Sequence, residues 1–448
     1  MRRRHYSSPD PTSTRVQYTT RDSPLHGDDL IDAEARVLTT DAGSRLLAEI
    51  ALVQSIRPSD IARWRQWAGP EVVSAAIRLS EARKKAAAKF EHGEQMWVDP
   101  IGIEQATSEA VARHKAARFT APLVVDLCAG VGGDALALAA GSLVLAIDLD
   151  QGMCRRLRHN ASVYRVADRI LPVRSRAETF TIPAGAWLHL DPDRRTVKYR
   201  RARSLVDYAP GPEFWKSAAS HSPAGAIKLG PASDFERHFG TSDHEIELIS
   251  YRGECKEATA WFGELVTCRR RATRLPENVT WTDRDGPTSP STPSSVLRSV
   301  IYDPDPALVR AGLLDGFAEA HGLARLADGA QYLTSERMLL SPFIRAFHVL
   351  DVSPLDAKQL KRLITKHGIG TLEIKVRGVN VAPETLRRQL DLNGDRSASL
   401  LLAGGTGPVR AILAQRASTR GSITSSAGGA AGACDSACGA APLPLSSD

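Results

Sequence analysis

The chain has 448 residues, of which 42% are hydrophobic and 24% are charged, so it is long enough to form about two or three domains with buried cores. Its 58 Lys and Arg residues outnumber its 51 Asp and Glu residues, and the net charge of +7 permits an anionic partner without requiring one. No apolar run approaches the roughly 18 to 20 residues that cross a bilayer, so we expect a cytoplasmic protein without a membrane partner.

The first part of the chain is predicted to be a disordered arm followed by a helical domain. Residues 1–30 are polar, rich in Ser, Thr, Pro and Asp, and lack hydrophobic periodicity, which indicates disorder. Residues 31–118 have a helical pattern. Within them, apolar residues recur at spacings of three and four over residues 72–86, and basic residues occupy the opposite face.

Strands and helices alternate in the next segment, residues 119–275. Short apolar runs separated by helical stretches occur at residues 123–127, 142–150, 170–173, 186–190 and 224–229. This alternation predicts βαβ units and therefore an α/β fold with a parallel sheet covered on both faces. Residues 245–250 and 256–266 are strand candidates that close this sheet.

The C-terminal part is predicted to contain a linker, a second compact unit and a disordered tail. Residues 276–300 are rich in turn formers, and residues 301–415 have an α+β pattern with a helix candidate at 306–321. Residues 416–448 are rich in Ser, Ala and Gly, which is typical of disorder. The tail carries a CxxxC pair, Cys434 and Cys438, without nearby histidines, so we expect no metal site there.

A glycine-rich loop lies between the first strand candidate and the following helix, with the sequence DLCAGVGGD at residues 126–134. Glycines at this place let a ligand approach the backbone closely, and the helix N-terminus offers unpaired N–H donors. Asp148, at the end of the next strand, lies 22 positions beyond Asp126, a spacing at which a carboxylate can reach the hydroxyls of a ribose. The pattern predicts a nucleoside-containing cofactor.

The identity of that cofactor depends on the acid before the glycines. Gly130, Gly132 and Ala135 formally satisfy the GxGxxG/A pattern of dinucleotide sites. Asp126 precedes Gly130 by four residues, however, and would repel a pyrophosphate, whereas it suits a cationic sulfonium with a free amino group. A sulfonium compound that donates a methyl group is therefore favoured over a dinucleotide as the cofactor. The third alternative is that the glycines only form a tight turn and bind no ligand.

This loop resembles the first motif of class I S-adenosylmethionine-dependent methyltransferases, which is an acid followed by a glycine-rich turn. By that resemblance Asp126, Ala129, Gly130 and Gly132 line the methionine end of the donor site, and Asp148 holds the ribose. The adenine contact departs from the usual pattern.

After the third strand, where related enzymes usually place an Asp, this chain has Arg176. The backbone of Ala177 and the side chain of Glu178 are the remaining candidates for the adenine contact.

A second motif, LDPDRR at residues 190–195, ends the fourth strand. Acceptors at this edge of the sheet can orient an N–H nucleophile so that its lone pair faces a methyl group. The motif resembles the Asp-Pro-Pro-aromatic motif of amino-directed nucleic-acid methyltransferases, except that Asp193 and Arg194 replace the second proline and the aromatic residue. We therefore predict Asp191, Pro192 and Arg194 as catalytic residues. The alternative is a strand-terminating turn with a solvated charge pair.

A basic run directly follows this motif, with six basic residues among the ten at 194–203. It is interpreted either as a phosphate-binding segment or as a solvated surface. Tyr208, Trp215 and Trp187 are candidates for stacking on a base. For Trp187, a position in the hydrophobic core is favoured.

Taken together, the motifs resemble those of one bacterial family, class I methyltransferases with a THUMP-like C-terminal domain. Besides the two motifs above, the resemblance rests on EQATSE (104–109), SYRGECKE (250–257), YDPDP (302–306) and KVRGV (375–379). It implies a Rossmann-like methyltransferase sheet flanked by an N-terminal helical domain and a C-terminal α+β domain, with S-adenosylmethionine as the cofactor. It also implies that Gln105 and Thr107 lie on a helix that caps the donor pocket.

Because true THUMP domains bind RNA, the resemblance implies an RNA substrate, either tRNA or rRNA. The leading hypothesis is methylation of a base nitrogen of structured RNA. Two alternatives stay open: a methyltransferase that acts on a protein or small molecule, and a non-catalytic RNA-binding protein that retains a relic donor pocket.

Overall fold

The computed structural model describes residues 28–194, 204–239, 243–287, 293–327, 331–405 and 408–417. These residues form an N-terminal helical unit and two β-sheets, with nine and seven strands. The basic residues at 195–203, the pair Cys434 and Cys438, and most of the predicted arm and tail lie outside the described residues.

From residue 28 onward, where the described part begins, six helices precede the first strand and form the helical unit that the sequence predicted. They are α1 (Asp28–Thr39), α2 (Asp41–Leu52), α3 (Pro58–Ala68), α4 (Pro70–Ala87), α5 (Pro100–Gln105) and α6 (Glu109–Ala116). Proline is the first residue of α3, α4 and α5, where its missing N–H costs no hydrogen bond. Within the described ranges, every helix is too short or too polar to span a bilayer.

The larger sheet contains strands β1 (Leu123–Leu127), β2 (Leu143–Asp148), β3 (Ile170–Arg174), β4 (Trp187–Leu190), β5 (Ala224–Leu229), β6 (His244–Tyr251), β7 (Glu254–Gly263), β8 (Arg270–Leu275) and β9 (Val279–Thr282). Helices α7 (Gly133–Leu138), α8 (Gln151–Val163), α9 (Pro212–Ser220) and α10 (Glu236–Phe239) belong to the same part of the chain. The strand order is β3-β2-β1-β4-β5-β7-β6-β8-β9. Strands β1 to β5 are parallel, and β7 runs antiparallel to β5.

The apolar runs seen in the sequence reflect burial of this sheet on both faces. Within β1, Val125 and Leu127 pack into one hydrophobic core and Val124 packs into the other. The strand order reverses between β1 and β4, and at such a point the loops after neighbouring strands diverge and leave a crevice. The predicted doubly covered parallel sheet is confirmed, and the crevice lies beside the glycine-rich loop.

The larger sheet extends beyond the sequence prediction. Strand β9 lies inside the segment 276–300 that was predicted as a linker, and it pairs antiparallel with β8. The pattern was missed because β9 has only four residues and turn-forming residues flank it on both sides.

The second sheet contains β10 (Val300–Pro304), β11 (Ala324–Arg325), β12 (Leu333–Ser335), β13 (Ile344–Pro354), β14 (Ile369–Arg377), β15 (Arg396–Ala403) and β16 (Arg410–Arg416). Helices α11 (Pro306–Arg310), α12 (Leu314–Ala320), α13 (Ala357–Lys366) and α14 (Pro383–Arg388) accompany it. Helices α13 and α14 share a core with β14, β15 and β16. By contrast, Leu308 of α11 and Phe317 of α12 belong to the same core as Ile246 and Leu248 of the larger sheet.

Candidate active site

A cavity of about 440 Å³ opens at the carboxyl ends of β1, β2 and β4, a volume typical of small-molecule sites. Eleven of the twelve residues predicted for the site line it, namely Gln105, Thr107, Asp126, Ala129, Gly130, Asp148, Ala177, Glu178, Asp191, Pro192 and Arg194. The exception is Gly132. The structure thus brings residues from five separate segments of the chain to one place.

The glycine-rich loop turns sharply between β1 and α7. Cys128, Gly130 and Gly132 have positive φ angles of 63°, 56° and 96°, a conformation in which glycine meets little strain. A Cβ atom on Gly132 would overlap the side chain of Leu157 on α8, whereas one on Gly130 would meet nothing within 4 Å. The prediction that Gly132 lines the cavity is therefore corrected: it permits the turn and the close approach of α8.

Asp126 is the last but one residue of β1. Within the described residues, one of its carboxylate oxygens has a hydrogen-bond partner and the other has none. Its Oδ1 lies 2.7 Å from Nδ1 of His189, and its Oδ2 is buried without a hydrogen-bond partner among the described residues. Burial raises the pKa of Asp126 and the nearby carboxylates of Asp134 and Asp191 raise it further, although His189 opposes the shift. A buried carboxylate oxygen without a partner suits a cationic ligand with N–H donors, which is the character of the predicted methyl donor.

Asp148, at the end of β2, is held by the backbone. Its Oδ2 accepts a hydrogen bond of 2.8 Å from the N–H of Gly130, and its Oδ1 accepts one of 2.9 Å from the N–H of Asp150. Burial raises the pKa of Asp148, against the effect of these two bonds. Each carboxylate oxygen has a further lone pair, so the side chain is oriented and can still accept ribose hydroxyls.

The end of the cavity predicted for adenine has an ion pair at its edge. Ala177 is buried in a single 3₁₀ turn, Ala177–Thr179, and Glu178 follows it. Glu178 Oε1 lies 3.5 Å from a guanidinium nitrogen of Arg176, the residue that stands where an Asp was expected. All three residues line the cavity. Arg176, which replaces the expected Asp, therefore places a cation beside the predicted adenine contact.

At the other end of the cavity, two acids after β4 are fixed by polar partners. Asp191 Oδ2 lies 2.6 Å from Nζ of Lys228, which is buried on β5 and donates a second bond of 3.1 Å to the carbonyl oxygen of Gln105. Gln105 Nε2 in turn donates to Asp193 Oδ1 at 2.8 Å. Sequence reasoning missed Lys228. The available signal was a lone cation inside the apolar run AGAIKL.

Thr107 is placed differently from the expectation that it lies on a capping helix. It follows α5 and donates its hydroxyl to Asp134 Oδ2 at 2.6 Å. Asp134 Oδ1 lies 2.8 Å from the ammonium of Lys115 on α6, and the same ammonium lies 2.6 Å from Glu257 Oε1 on β7. Thr107 therefore joins a buried charged network directly behind the cavity.

The aromatic residues predicted as stacking platforms pack against the hydrophobic cores. Trp215 is 1% exposed and donates Nε1 to the carbonyl oxygen of Pro210, and Tyr208 is 4% exposed. Both belong to one hydrophobic core, so they are not available to stack on a base. Trp187 is partly buried, packs against the other core and is not among the residues that line the cavity. Within the described part of the chain, the residues lining the cavity include no Phe, Tyr or Trp, and the guanidinium groups of Arg176 and Arg194 are planar groups in that lining.

Two family models match separate parts of the chain. One, described as "RNA cap guanine-N2 methyltransferase", matches residues 121–208, which include both motifs of the cavity. The other, described as "THUMP domain-like", matches residues 344–416, which contain β13 to β16 with α13 and α14. The predicted α+β C-terminal domain of THUMP-like character is therefore confirmed.

Similar proteins cover most of the chain. The crystal structure of a candidate methyltransferase from Porphyromonas gingivalis W83 covers 88% of this chain and 100% of its own, with a TM-score of 0.65 at 17% identity, which shows a shared fold. An uncharacterized S-adenosylmethionine-dependent methyltransferase of Mycobacterium tuberculosis, found in strains CDC 1551 and H37Rv, is 31% identical over 340 residues, which make up 73% of this chain and 91% of the relative. At this identity and coverage the chain belongs to the same family, the S-adenosylmethionine-dependent methyltransferases, as the sequence predicted.

Proposed function

We propose that this methyltransferase modifies a base nitrogen of structured RNA, either tRNA or rRNA. The observation that carries the proposal is the carboxylate of Asp191, which stands at the mouth of the donor cavity and is held there by Lys228. The family model over residues 121–208 is named for guanine-N2 methylation of the RNA cap, and a THUMP domain-like unit follows at residues 344–416. Both names support an RNA substrate. A cytoplasmic location stays a prediction from the sequence.

The donor is assigned to the cavity as follows. Asp126 Oδ2 accepts a hydrogen bond from the donor's amino group, and Asp148 accepts the ribose hydroxyls. The backbone of Ala129 and Gly130 lies against the methionine portion. The remaining residues assigned to donor contact or support are Gln105, Thr107, Gly132, Ala177 and Glu178, with Thr107 and Gly132 acting through their neighbours.

The acceptor nitrogen is positioned by the residues after β4. S-adenosylmethionine supplies a methyl group activated by its bond to a sulfonium. Asp191 accepts a hydrogen bond from the N–H of the acceptor, turns its lone pair toward the methyl group and receives the proton that the nitrogen loses. Pro192 fixes the turn that presents this carboxylate, and Arg194 offers a planar cation that can stack on a base or bind a phosphate.

A second candidate substrate is an amine of a protein or small molecule. The observation in its favour is the absence of an aromatic side chain from the described lining of the cavity, since related RNA enzymes stack the base on one. Asp193 and Arg194 replace the proline and aromatic residue of the amino-directed motif.

Labelled methyl transfer separates the two candidates. The full-length enzyme is incubated with methyl-tritiated S-adenosylmethionine and total RNA from cells that lack the gene, and the RNA is then digested to nucleosides. The proposal expects label in one nucleoside of a tRNA or rRNA fraction, and none with Asp191→Ala. Unlabelled RNA together with labelled protein or small molecules would favour the second candidate.

A further inference from the structure

A histidine that the reaction does not use is buried between the donor cavity and the charged network behind it. His189 lies on β4, two residues before Asp191, and is 1% exposed. Its Nδ1 lies 2.7 Å from Asp126 Oδ1, and its Nε2 lies 3.4 Å from Nζ of Lys115. Side chains from β1, β4 and α6 therefore form one continuous polar chain that ends at the cavity.

The surroundings of Lys115 determine which ring nitrogen of His189 carries a proton. The ammonium has three N–H groups, and three acceptors surround it: Asp134 Oδ1 at 2.8 Å, Glu257 Oε1 at 2.6 Å and His189 Nε2. When the imidazole is neutral, the Lys115 ammonium, which can only donate, favours the tautomer in which Nε2 accepts and Nδ1 is protonated. When the imidazole is charged, both nitrogens are protonated. In either state Nδ1 donates to Asp126.

We propose that His189 is a positioning residue for methyl-donor binding: its Nδ1–H engages Asp126 Oδ1 and leaves Oδ2 as the oxygen that meets the donor. Lys115 holds the imidazole in this orientation from behind. The inference rests on the proposed assignment of Asp126 to the donor's amino group. It also gives a reason for a buried histidine in β4 between two apolar residues, Leu188 and Leu190.

The charged groups around Asp126 and His189 determine how donor binding is expected to depend on pH. Asp126 faces His189 on β4, Asp134 on α7 and Asp191 after β4, whereas His189 faces Lys115 on α6, Asp134 and the edge of the Phe119 ring. Burial raises the pKa of Asp126, and the charge and hydrogen bond of His189 lower it. Removing the imidazole is therefore expected to raise the pKa of Asp126 further.

The test compares two substitutions of His189 in the full-length protein, with S-adenosylmethionine as the probe and calorimetry as the measurement. His189→Asn keeps an amide N–H near the place of Nδ1, and we expect its donor Kd to stay within about threefold of the wild type. His189→Leu removes the hydrogen bond, and we expect Kd to rise roughly 10- to 100-fold. We also expect the weakening of donor binding at acid pH to begin at higher pH in His189→Leu.

A matched control is His114→Leu. His114 is another mostly buried histidine paired with a carboxylate, since its Nε2 lies 2.7 Å from Glu247 Oε1, but it lies outside the cavity lining. This variant is expected to lose stability and to keep both the donor Kd and its pH dependence. Wild-type Kd and pH dependence in His189→Leu would overturn the inference, whereas wild-type donor affinity in Asp126→Asn would overturn the donor assignment itself.

If His189→Leu does not fold, NMR spectroscopy of the wild-type protein still tests the proposal. The ¹⁵N spectrum of the histidine rings, with the His189 signals identified from His189→Asn, reports which nitrogen is protonated. We expect Nδ1 to be protonated with and without S-adenosylmethionine. A neutral ring protonated only at Nε2 contradicts the inference, because such a ring cannot donate to Asp126.

Discussion

At the scale of single residues, the reaction is expected to depend on Asp191. Its carboxylate is the acceptor at the cavity mouth, and the 2.6 Å contact with the buried ammonium of Lys228 restricts its orientation. An acid held in this way contributes by aligning the nucleophile and by accepting its proton, effects that are commonly worth roughly 100-fold or more in rate. Donor binding is assigned to other residues, so a substitution of Asp191 should lower the rate of methyl transfer and leave donor affinity nearly unchanged.

We expect Asp191→Ala to lower methyl transfer by roughly 100-fold or more while donor Kd stays within a few fold of the wild type. Asp191→Asn is the control, because its amide oxygen can still accept a hydrogen bond but cannot take up the proton. Its activity should fall between those of the wild type and Asp191→Ala. Transfer is measured with tritiated donor, and Kd by calorimetry. Loss of donor binding with residual turnover intact contradicts the assignment of Asp191.

Donor affinity is expected to fall as the pH falls. Burial raises the pKa of Asp126, and a cationic donor binds the ionised carboxylate, so protonation of Asp126 competes with binding. Calorimetric Kd values should therefore increase in the wild type as the pH is lowered toward the raised pKa of Asp126. Asp126→Asn should bind weakly at every pH. An affinity that is independent of pH in the wild type rules out an ionised Asp126 as the donor contact.

The sequence predicted Asp126, Asp148 and Asp191 because each acid lies at or next to the carboxyl end of a strand, and parallel strands present their carboxyl ends at one edge. It missed His189 and Lys228. Their roles depend on partners from distant segments, namely the carboxylates of Asp126 and Asp191, and no local spacing encodes those contacts.

At the scale of elements, the turn between β1 and α7 assigns different tasks to two glycines. Gly132 has a φ of 96° and lies against Leu157 of α8, so it is needed for packing. Gly130 has a φ of 56° and faces open space in the cavity lining, so it is needed for ligand access. The sequence pattern alone treats both as cofactor glycines, because it contains no information on how closely α8 approaches.

The two alanine substitutions should therefore differ in kind. Gly132→Ala is expected to destabilise the protein by about 2–5 kcal/mol, from left-handed strain and overlap with Leu157. Gly130→Ala should cost only about 1–2 kcal/mol of strain and should weaken donor binding more than stability. Thermal unfolding and calorimetry distinguish them. Equal melting temperatures for Gly132→Ala and the wild type would refute the packing role.

At the scale of the whole molecule, the two sheets share hydrophobic and polar contacts. Helices α11 and α12 contribute to the core of the larger sheet, and Asp305, which caps α11, lies 3.3 Å from the guanidinium of Arg274 on β8. The sequence showed that residues 301–415 form a compact α+β pattern. It could not show which surface α11 and α12 cover, because an amphipathic pattern identifies a buried face without its partner. The predicted helix at 306–321 is also interrupted at Gly312, where φ is 72°.

The boundaries 31–118, 119–275 and 301–415 stay predictions, and the shared core leads us to expect that residues 119–275 do not fold independently of residues 301–415. We expect a chain ending at residue 299 to lose cooperative unfolding, because Ile246 and Leu248 would lose the cover of α11 and α12. A chain ending at residue 417 is the control and should keep the wild-type melting temperature. Normal unfolding and donor affinity in the shorter chain would show that the larger sheet folds by itself.

The central claim, that this donor site serves an RNA base, is tested most directly by mass spectrometry of nucleosides from tRNA and rRNA. RNA from cells lacking the gene is compared with RNA from the same cells carrying the wild-type gene or the Asp191→Ala variant. We expect one N-methylated nucleoside to disappear on deletion, to return with the wild-type gene and to stay absent with the variant. Identical nucleoside profiles in all three strains would contradict it.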